Sequence, residues 1–291
     1  MIGLMGLGRM GRAMAERLED RGANLIVWNR KGLKAKGLRA RRAATPSYLA
    51  DQTDLILSVM ADQAAIKAAY SGVDGLLTAD LSGKTVVEFC TMSPDQSKEL
   101  AAKVESSGGS FLECPVGGTI APARKGALLG LAGGPVEALE TARPVLNHLT
   151  RRLEHLGPVG AGAAMKLAIN LPLMVYWAAL GEALGLARAG GIDPTRALDI
   201  LADSSGAIGA AKTRVPPIAE TVVTGDPGAV NITMDASLKD MREMVALAEA
   251  HGIASDVVSA AKARAERASD GGWGGCDASL SAAWGNVVRK D

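Results

Sequence analysis

Residues 1–28 read MIGLMGLGRMGRAMAERLEDRGANLIVW, and this stretch decides the fold. A short apolar run turns on Gly6-Leu7-Gly8-Arg9-Met10-Gly11. Good helix formers (Ala13, Met14, Ala15, Leu18) then continue to about Asp20, and Gly22 ends them. A second apolar run spans Asn24 to Trp28. Strand, G-x-G-x-x-G, helix and strand within roughly thirty residues is the setting in which the glycine triplet acquires a function. The first glycine permits a tight turn, the second lets backbone approach a pyrophosphate, and the third lets the helix pack on the strand. The helix N-terminus adds unpaired N–H groups and a positive dipole end. An isolated triplet would be only a turn. Placed here, Gly6, Leu7, Gly8, Arg9, Met10 and Gly11 are expected to bind a dinucleotide.

The end of the second strand distinguishes NAD from NADP. A carboxylate there would hold a ribose 2′-hydroxyl, but the chain places Asn29 and Arg30, followed by Lys31 and Lys34. A guanidinium with no nearby carboxylate suits a 2′-phosphate. NADP is therefore favoured over NAD, with Asn29 and Arg30 as its contacts. Lys34, Lys36 and Arg39 read better as a solvated basic face.

Strand and helix then alternate. Apolar runs at Asp54–Met60 and Thr85–Phe89 are each followed by a helical segment, the first over Asp62–Tyr70. The second helix is announced by Ser93 as N-cap and Pro94 at the first helical position. Short runs at Ser110–Cys114 and Ala127–Ala132 flank PVGGTIAPARKG, and a helix over Val136–Leu149 leads to a last strand near Leu153. This alternation predicts a doubly wound, mostly parallel Rossmann-type sheet. Ligands of such sheets sit at the C-terminal strand ends, which puts Met60, Thr91 and Gly117–Gly118 on the ligand side. The consecutive glycines fit an anion cradle and an ordinary glycine turn equally well.

From Gly160 onward the periodicity is helical, with helices expected at 161–189, 194–203, 208–220, 234–251, 255–269 and 277–289. The expected architecture is an α/β dinucleotide-binding domain over residues 1–158 and an all-α substrate and oligomerisation domain over 159–291. The first of these helices, GAGAAMKLAINLPLMVYWAALGEALGLA, carries one cation, Lys166, with Asn170 four residues on and hence on the same face. An isolated helix lysine is usually solvated. Beside a dinucleotide cleft it matters more, because carbonyl reduction needs a proton donor near the hydride acceptor. Asp235 and Lys239 have the spacing of an ordinary intrahelical ion pair.

Composition narrows the alternatives. The 291 residues carry 32 basic and 31 acidic side chains, a net charge of +1, which implies neither nucleic acid nor an anionic membrane surface as partner. Cys90, Cys114 and Cys276 are odd in number, far apart and without CxxC spacing, in keeping with a reducing cytosol. Met1 leads directly into an apolar strand, so no secretory leader is expected. Leu167–Ala187 approaches the length of a membrane span, but Asn170, Glu182 and several Gly and Pro point to a core helix. None of Tyr48, Tyr70 or Tyr176 has a lysine four residues on, His148, His155 and His251 lack zinc-ligand spacing, and no G-x-S-x-G elbow occurs.

GLMGLGRMG at the start, TMSP at 91–94, CPVGGT at 114–119, GAAMKLAIN at 162–170 and LKD at 238–240 together resemble the β-hydroxyacid dehydrogenase family. This group includes 3-hydroxyisobutyrate dehydrogenases and the tartronate semialdehyde and glyoxylate/succinic semialdehyde reductases. The resemblance covers essentially the whole chain. It implies that Lys166 is general acid in reduction and base in oxidation, and that Asn170 holds the substrate. It implies further that Gly117 and Gly118 bind the substrate carboxylate through backbone N–H groups, with Thr119 beside them, that Thr91 contacts the cofactor near the nicotinamide, and that Lys239 lines the same cleft. A lysine desolvated beside a cationic nicotinamide has its pKa lowered, and its ammonium stabilises alkoxide character. Three positions depart from the family pattern: Gly117 replaces a serine, Thr119 a glycine and Cys90 a serine. They bear on which acid, carboxylate or sulfonate, is bound rather than on the reaction. Imine reductases look similar but carry Asp or Tyr in place of Lys166, and a non-catalytic dinucleotide-binding module would be expected to lose the lysine. By analogy the helical domain supports a homodimer or homotetramer.

Overall fold

The computed structural model describes residues 1–30 and 36–287. Lys31, Lys34 and the end of the helix expected at 277–289 lie outside the described residues. The chain divides into two compact units, Met1–Lys166 and Leu167–Asp291.

The first unit is built on six parallel strands: β1 (Ile2–Met5), β2 (Leu25–Trp28), β3 (Arg41–Arg42), β4 (Leu55–Ser58), β5 (Thr85–Glu88) and β6 (Ser110–Glu113). Their order is β3-β2-β1-β4-β5-β6, so the direction of winding reverses between β1 and β4. Sequence alternation fills both faces. Leu4, Val27, Leu57, Val87 and Leu112 face a core shared with α1 (Arg9–Asp20) and α6 (Val136–Leu149). Their neighbours Met5, Ile26, Ile56, Val86 and Phe111 face a second core with α2 (Pro46–Asp51), α3 (Gln63–Ser71) and α4 (Pro94–Ser106). A sheet covered on both sides needs apolar residues on both faces, which is why the central positions of β1, β2, β4, β5 and β6 read as continuous apolar runs.

Ser93 caps α4 as its sequence announces. Its hydroxyl accepts the Gln96 N–H at 3.3 Å, and the Gln96 side-chain oxygen accepts the Ser93 N–H at 3.0 Å. The reciprocal pair satisfies two of the helix's open donors.

One expectation is corrected. The residues after β6 do not extend the parallel sheet but form a second, three-stranded one. In it β7 (Val116–Gly117) runs antiparallel to β8 (Leu128–Ala132), and β9 (Thr150–His155) runs parallel to β8. The segment PVGGTIAPARKG therefore holds β7 and the short helix α5 (Ile120–Lys125). Gly118, at φ +126°, supplies the reversal that a residue with a side chain would resist. The strand β3 and the helix α2 are also additional to the expected elements. Arg41 and Arg42 carry no strand signature of their own and are ordered by pairing with Ile26 and Val27.

The long helix α7 (Ala161–Ala189) begins in the first unit and supplies the second with its core helix. By length and composition α7 is apolar enough to cross a bilayer. In the second unit its Leu167, Met174 and Ala178 pack with Met234, Leu238, Met241 and Met244 of α10 (Met234–Ala250). Its Trp177, Leu180 and Leu184 pack with α8 (Pro194–Asp203) and α9 (Ala211–Thr224), and α11 (Asp256–Ala268) completes the set. The helix expected at 208–220 is displaced to Ala211–Thr224, where the left-handed Gly225 (φ +78°) stops it. The helix expected at 277–289 is reduced to a 3₁₀ turn, Ala278–Ser281, followed by turns. Asp277 caps that turn, Gly285 at φ +79° breaks the helix, and the Asn286 amide instead donates to the Gly181 and Ala282 carbonyls.

Ser93→Ala removes one half of the capping box and is expected to cost about 1 kcal/mol of stability. Urea denaturation should show a lower midpoint at unchanged slope. An unchanged midpoint would mean that α4 is held by packing alone.

Candidate functional site

Apart from Lys239, which stands on α10 in the second unit, the expected dinucleotide contacts lie at the C-terminal edge of the parallel sheet. Gly6 follows β1, Asn29 and Arg30 follow β2, Met60 comes two residues after β4, and Thr91 comes three after β5. These are adjacent strands on either side of the reversal, the position at which open parallel sheets bind ligands.

Each glycine of the triplet meets a different constraint. Gly6 has φ +92°, and a Cβ there would strike the Val59 carbonyl. A Cβ on Gly11 would strike the Gly6 carbonyl, so the third glycine lets α1 seat against the turn. Gly8 differs from both: an added Cβ would meet nothing within 4 Å. The space over Gly8 is open, α1 begins there with no side-chain cap, and its first turn holds no acidic residue. Donor groups, open space and the absence of a competing carboxylate fit a pyrophosphate. Asn29 has a further task. Its side-chain oxygen accepts the Leu7 N–H at 2.9 Å and so ties the glycine turn to the end of β2. Arg30 beside it is exposed, as a group reaching for a 2′-phosphate would be.

Under the Thr91 loop lies a polar cluster that the sequence reading missed. The fully buried Glu88, the last residue of β5, accepts the Cys90 N–H at 2.8 Å and meets the Tyr70 hydroxyl at 2.9 Å. Ser58 Oγ is buried beside the same carboxyl and makes no hydrogen bond of good geometry. Burial pushes the Glu88 carboxyl up to about 7, against the hydrogen bonds that favour its charged form. A glutamate inside an apolar strand was the available sequence signal.

A second missed glutamate, Glu113, ends β6. Its Oε1 accepts the N–H groups of Gly160 (2.8 Å), Gly162 (2.8 Å) and Ala163 (3.2 Å), and its Oε2 accepts the Ser97 hydroxyl. Burial raises this carboxyl above the ordinary carboxylate range, again opposed by those hydrogen bonds.

Lys166 is half-buried, the sixth residue of α7, and Asn170 follows one turn later on the same helix. Within the second unit, the buried Asn170 amide donates to Asp240 Oδ2 at 3.1 Å, and Lys239 Nζ lies 3.3 Å from Asp240 Oδ1. Asp240, the last residue of the LKD motif, therefore joins two of the expected site residues and belongs with them. Asp235 accepts the Ser269 hydroxyl at 2.6 Å, while Lys239 pairs with Asp240. In the first unit, Gly117 is half-buried at the end of β7, with Gly118 exposed and Thr119 half-buried after it.

Two family models account for most of the chain. Residues 1–157 match the NAD binding domain of 6-phosphogluconate dehydrogenase, and residues 160–283 match the NAD-binding domain of NADP-dependent 3-hydroxyisobutyrate dehydrogenase. A chloroplastic glyoxylate/succinic semialdehyde reductase of Arabidopsis thaliana is 31% identical over 89% of this chain and 72% of its own length. The crystal structure of a Salmonella typhimurium 3-hydroxyisobutyrate dehydrogenase superposes with a TM-score of 0.86 at 24% identity, covering 97% of this chain and 98% of that one. A reductive aminase from Aspergillus terreus, solved with NADPH and ethyl levulinate, superposes with a TM-score of 0.63 at 25% identity over 97% of this chain and 98% of that one.

Two outcomes follow from this geometry. Gly8→Ala should leave the melting temperature unchanged and weaken dinucleotide binding at least tenfold, measured by fluorescence titration. Wild-type affinity would show that the phosphates lie elsewhere. The raised Glu88 pKa means that the native state keeps a proton the unfolded chain has lost between about pH 4.5 and 7. This group's contribution to stability therefore falls as pH rises through that window and is level above it. Glu113 acts in the same sense. Glu88→Gln should reduce the fall between pH 5 and 8 by an amount on the order of 3 kcal/mol. Parallel denaturation curves at the two pH values would detect it, and an unaltered fall would assign the pH dependence to other groups.

Proposed function

The chain belongs to the β-hydroxyacid dehydrogenase family of nicotinamide-dependent oxidoreductases, and within it we propose an NADPH-preferring enzyme that interconverts a short β-hydroxyacid and its semialdehyde. The observation that carries this reading is the place of Lys166. It is the single cation in the first four turns of α7, one turn before Asn170, in a chain whose glycine turn meets the demands of a dinucleotide.

When bound, the dinucleotide supplies or accepts the hydride. The chain's own residues do the rest. Gly6 to Gly11 hold the phosphates through backbone N–H groups at the start of α1, and Asn29 keeps the turn in place while Arg30 engages the 2′-phosphate. Met60 and Thr91 form the walls at the strand ends, with Thr91 toward the nicotinamide. In reduction, the Lys166 ammonium donates a proton to the carbonyl oxygen as it becomes an alkoxide; in oxidation the neutral amine takes the hydroxyl proton. The cation also stabilises the developing oxyanion, a larger effect in a water-poor site than in solvent. Asn170 orients the substrate, held by Asp240, and Lys239 contributes positive charge balanced by the same carboxylate. Gly117, Gly118 and Thr119 take the acid group. With Gly117 in place of a serine and Thr119 in place of a glycine, a hydroxyl is moved by two residues, which favours an acid other than hydroxyisobutyrate, sulfonates included. The enzyme is read as a cytoplasmic homodimer or homotetramer.

Imine reduction is the second reading, favoured by the shared fold of the reductive aminase. The lysine at 166 favours carbonyl chemistry instead.

NADPH and NADH oxidation should be followed with glyoxylate and with succinic, tartronate and methylmalonate semialdehydes and sulfolactaldehyde. Turnover with NADPH on at least one acid is expected, with kcat lower by about a hundredfold or more in Lys166→Ala. Arg30→Ala should raise the KM for NADPH and leave that for NADH unchanged. Turnover confined to imines, or a fully active Lys166→Ala, would overturn the reading.

A further inference from the structure

The N-terminus of α7 lacks the local cap that a helix start normally has. Gly160, whose carbonyl accepts the Ala164 N–H at 2.9 Å, occupies the N-cap position and has no side chain to offer the free donors of the first turn. The Ala161 N–H donates to the nearby Pro158 carbonyl at 3.1 Å, but the N–H groups of Gly160, Gly162 and Ala163 are satisfied from 47 to 50 residues away in sequence, by Oε1 of Glu113. A local cap would satisfy the helix end without relating it to anything else. A cap supplied by another element also fixes where the helix sits.

The capping side chain is itself held on all sides. The Glu113 N–H donates to the Gly133 carbonyl and the Gly133 N–H to the Glu113 carbonyl, both at 3.0 Å, which bridges the six-stranded sheet to β8. Oε2 accepts the Ser97 hydroxyl from α4. Two glycines clear the space around the carboxylate. A Cβ on Gly133 would strike Oε1, and a Cβ on Gly162 would strike the Leu131 carbonyl and lie 3.1 Å from Oε1. From Ala163, the last N–H held, to Lys166 is less than one turn of continuous helix, about 4.5 Å of rise. Any displacement of the first turn is therefore passed to the lysine.

We infer that Glu113 is a positioning residue for Lys166: by gripping the first turn of α7 from the end of β6, it sets where the lysine stands relative to the sheet whose strand ends carry the dinucleotide contacts. The inference rests on the acid/base role proposed for Lys166. The grip on α7 is made by one oxygen, Oε1, which accepts all three backbone N–H groups, and an amide oxygen at the same reach can accept them too. Reach, rather than charge, is then the property that matters.

The test compares Glu113→Gln, Glu113→Asp and Glu113→Ala, alone and with Lys166→Ala, by steady-state kinetics at 20 °C with NADPH and the best semialdehyde. Melting curves are recorded beside them. Glu113→Gln keeps an oxygen at the same reach and should hold kcat within about threefold. Glu113→Asp keeps the charge but withdraws it by one methylene and should lose tenfold or more in kcat, as Glu113→Ala should, with the KM for NADPH little changed. In the Lys166→Ala background the same changes should have less than a twofold effect, because the group they misplace is gone. Three results would overturn the inference: Asp outperforming Gln, a lower melting temperature with kcat intact in Asp and Ala, or losses that multiply in the double variants. If Glu113→Ala does not fold, the ranking of Asp against Gln decides alone. A fully active Lys166→Ala is a separate result, visible before any Glu113 variant is made, and would remove the acid/base reading and this inference together.

Discussion

A carboxylate buried among four donors is the interaction on which the first unit most depends. Glu113 lies where the end of β6, the bridge to β8, the first turn of α4 and the start of α7 come together. Removing a carboxylate from water is costly, and its raised pKa records that cost. The cost is borne because the alternative, a helix start with three unpaired backbone donors in a dry environment, would be costly too. The arrangement solves two problems together: the acid needs donors and the helix needs an acceptor.

Glu113 belongs to a wider pattern. In the sheet register Ser58 stands opposite Glu88, and Glu88 opposite Glu113, so the last residues of β4, β5 and β6 form a polar row on one face. Between this row and the Thr85 and Ser110 that open β5 and β6, these strands are apolar. The row lies at the C-terminal edge of the sheet, and each glutamate turns back to hold backbone: Glu88 the Cys90 amide, Glu113 the start of α7. In the loop after β5, Cys90 and Met92 on either side of Thr91 pack into the core. Buried acceptors at the strand ends add a second, polar hold from behind.

The same economy appears in the second unit, where Asp240 serves Asn170 and Lys239 at once. A buried acid between an amide and an ammonium restricts both side chains to a few rotamers.

The sequence by itself determined the layered α/β architecture, the glycine turn, the capped start of α4 and the full extent of α6, α7 and α8. These are local properties: a two-residue or 3.6-residue period, a capping residue and the steric freedom of glycine act over a few neighbours and can be read in order. Tertiary structure decided what depends on partners distant in the chain. Arg41 and Arg42 are a strand only because Ile26 and Val27 lie beside them. Val116 and Gly117 leave the parallel sheet only because Leu129 and Gly130 are there to pair with. Glu88 holds the Cys90 amide and Asp240 pairs with Lys239 close by, but the Tyr70 hydroxyl at Glu88, the Asn170 amide at Asp240 and the helix start at Glu113 come from distant parts of the chain, and nothing beside these acids discloses them. A buried charge is defined by what folding places around it, and periodicity along the chain carries no record of that.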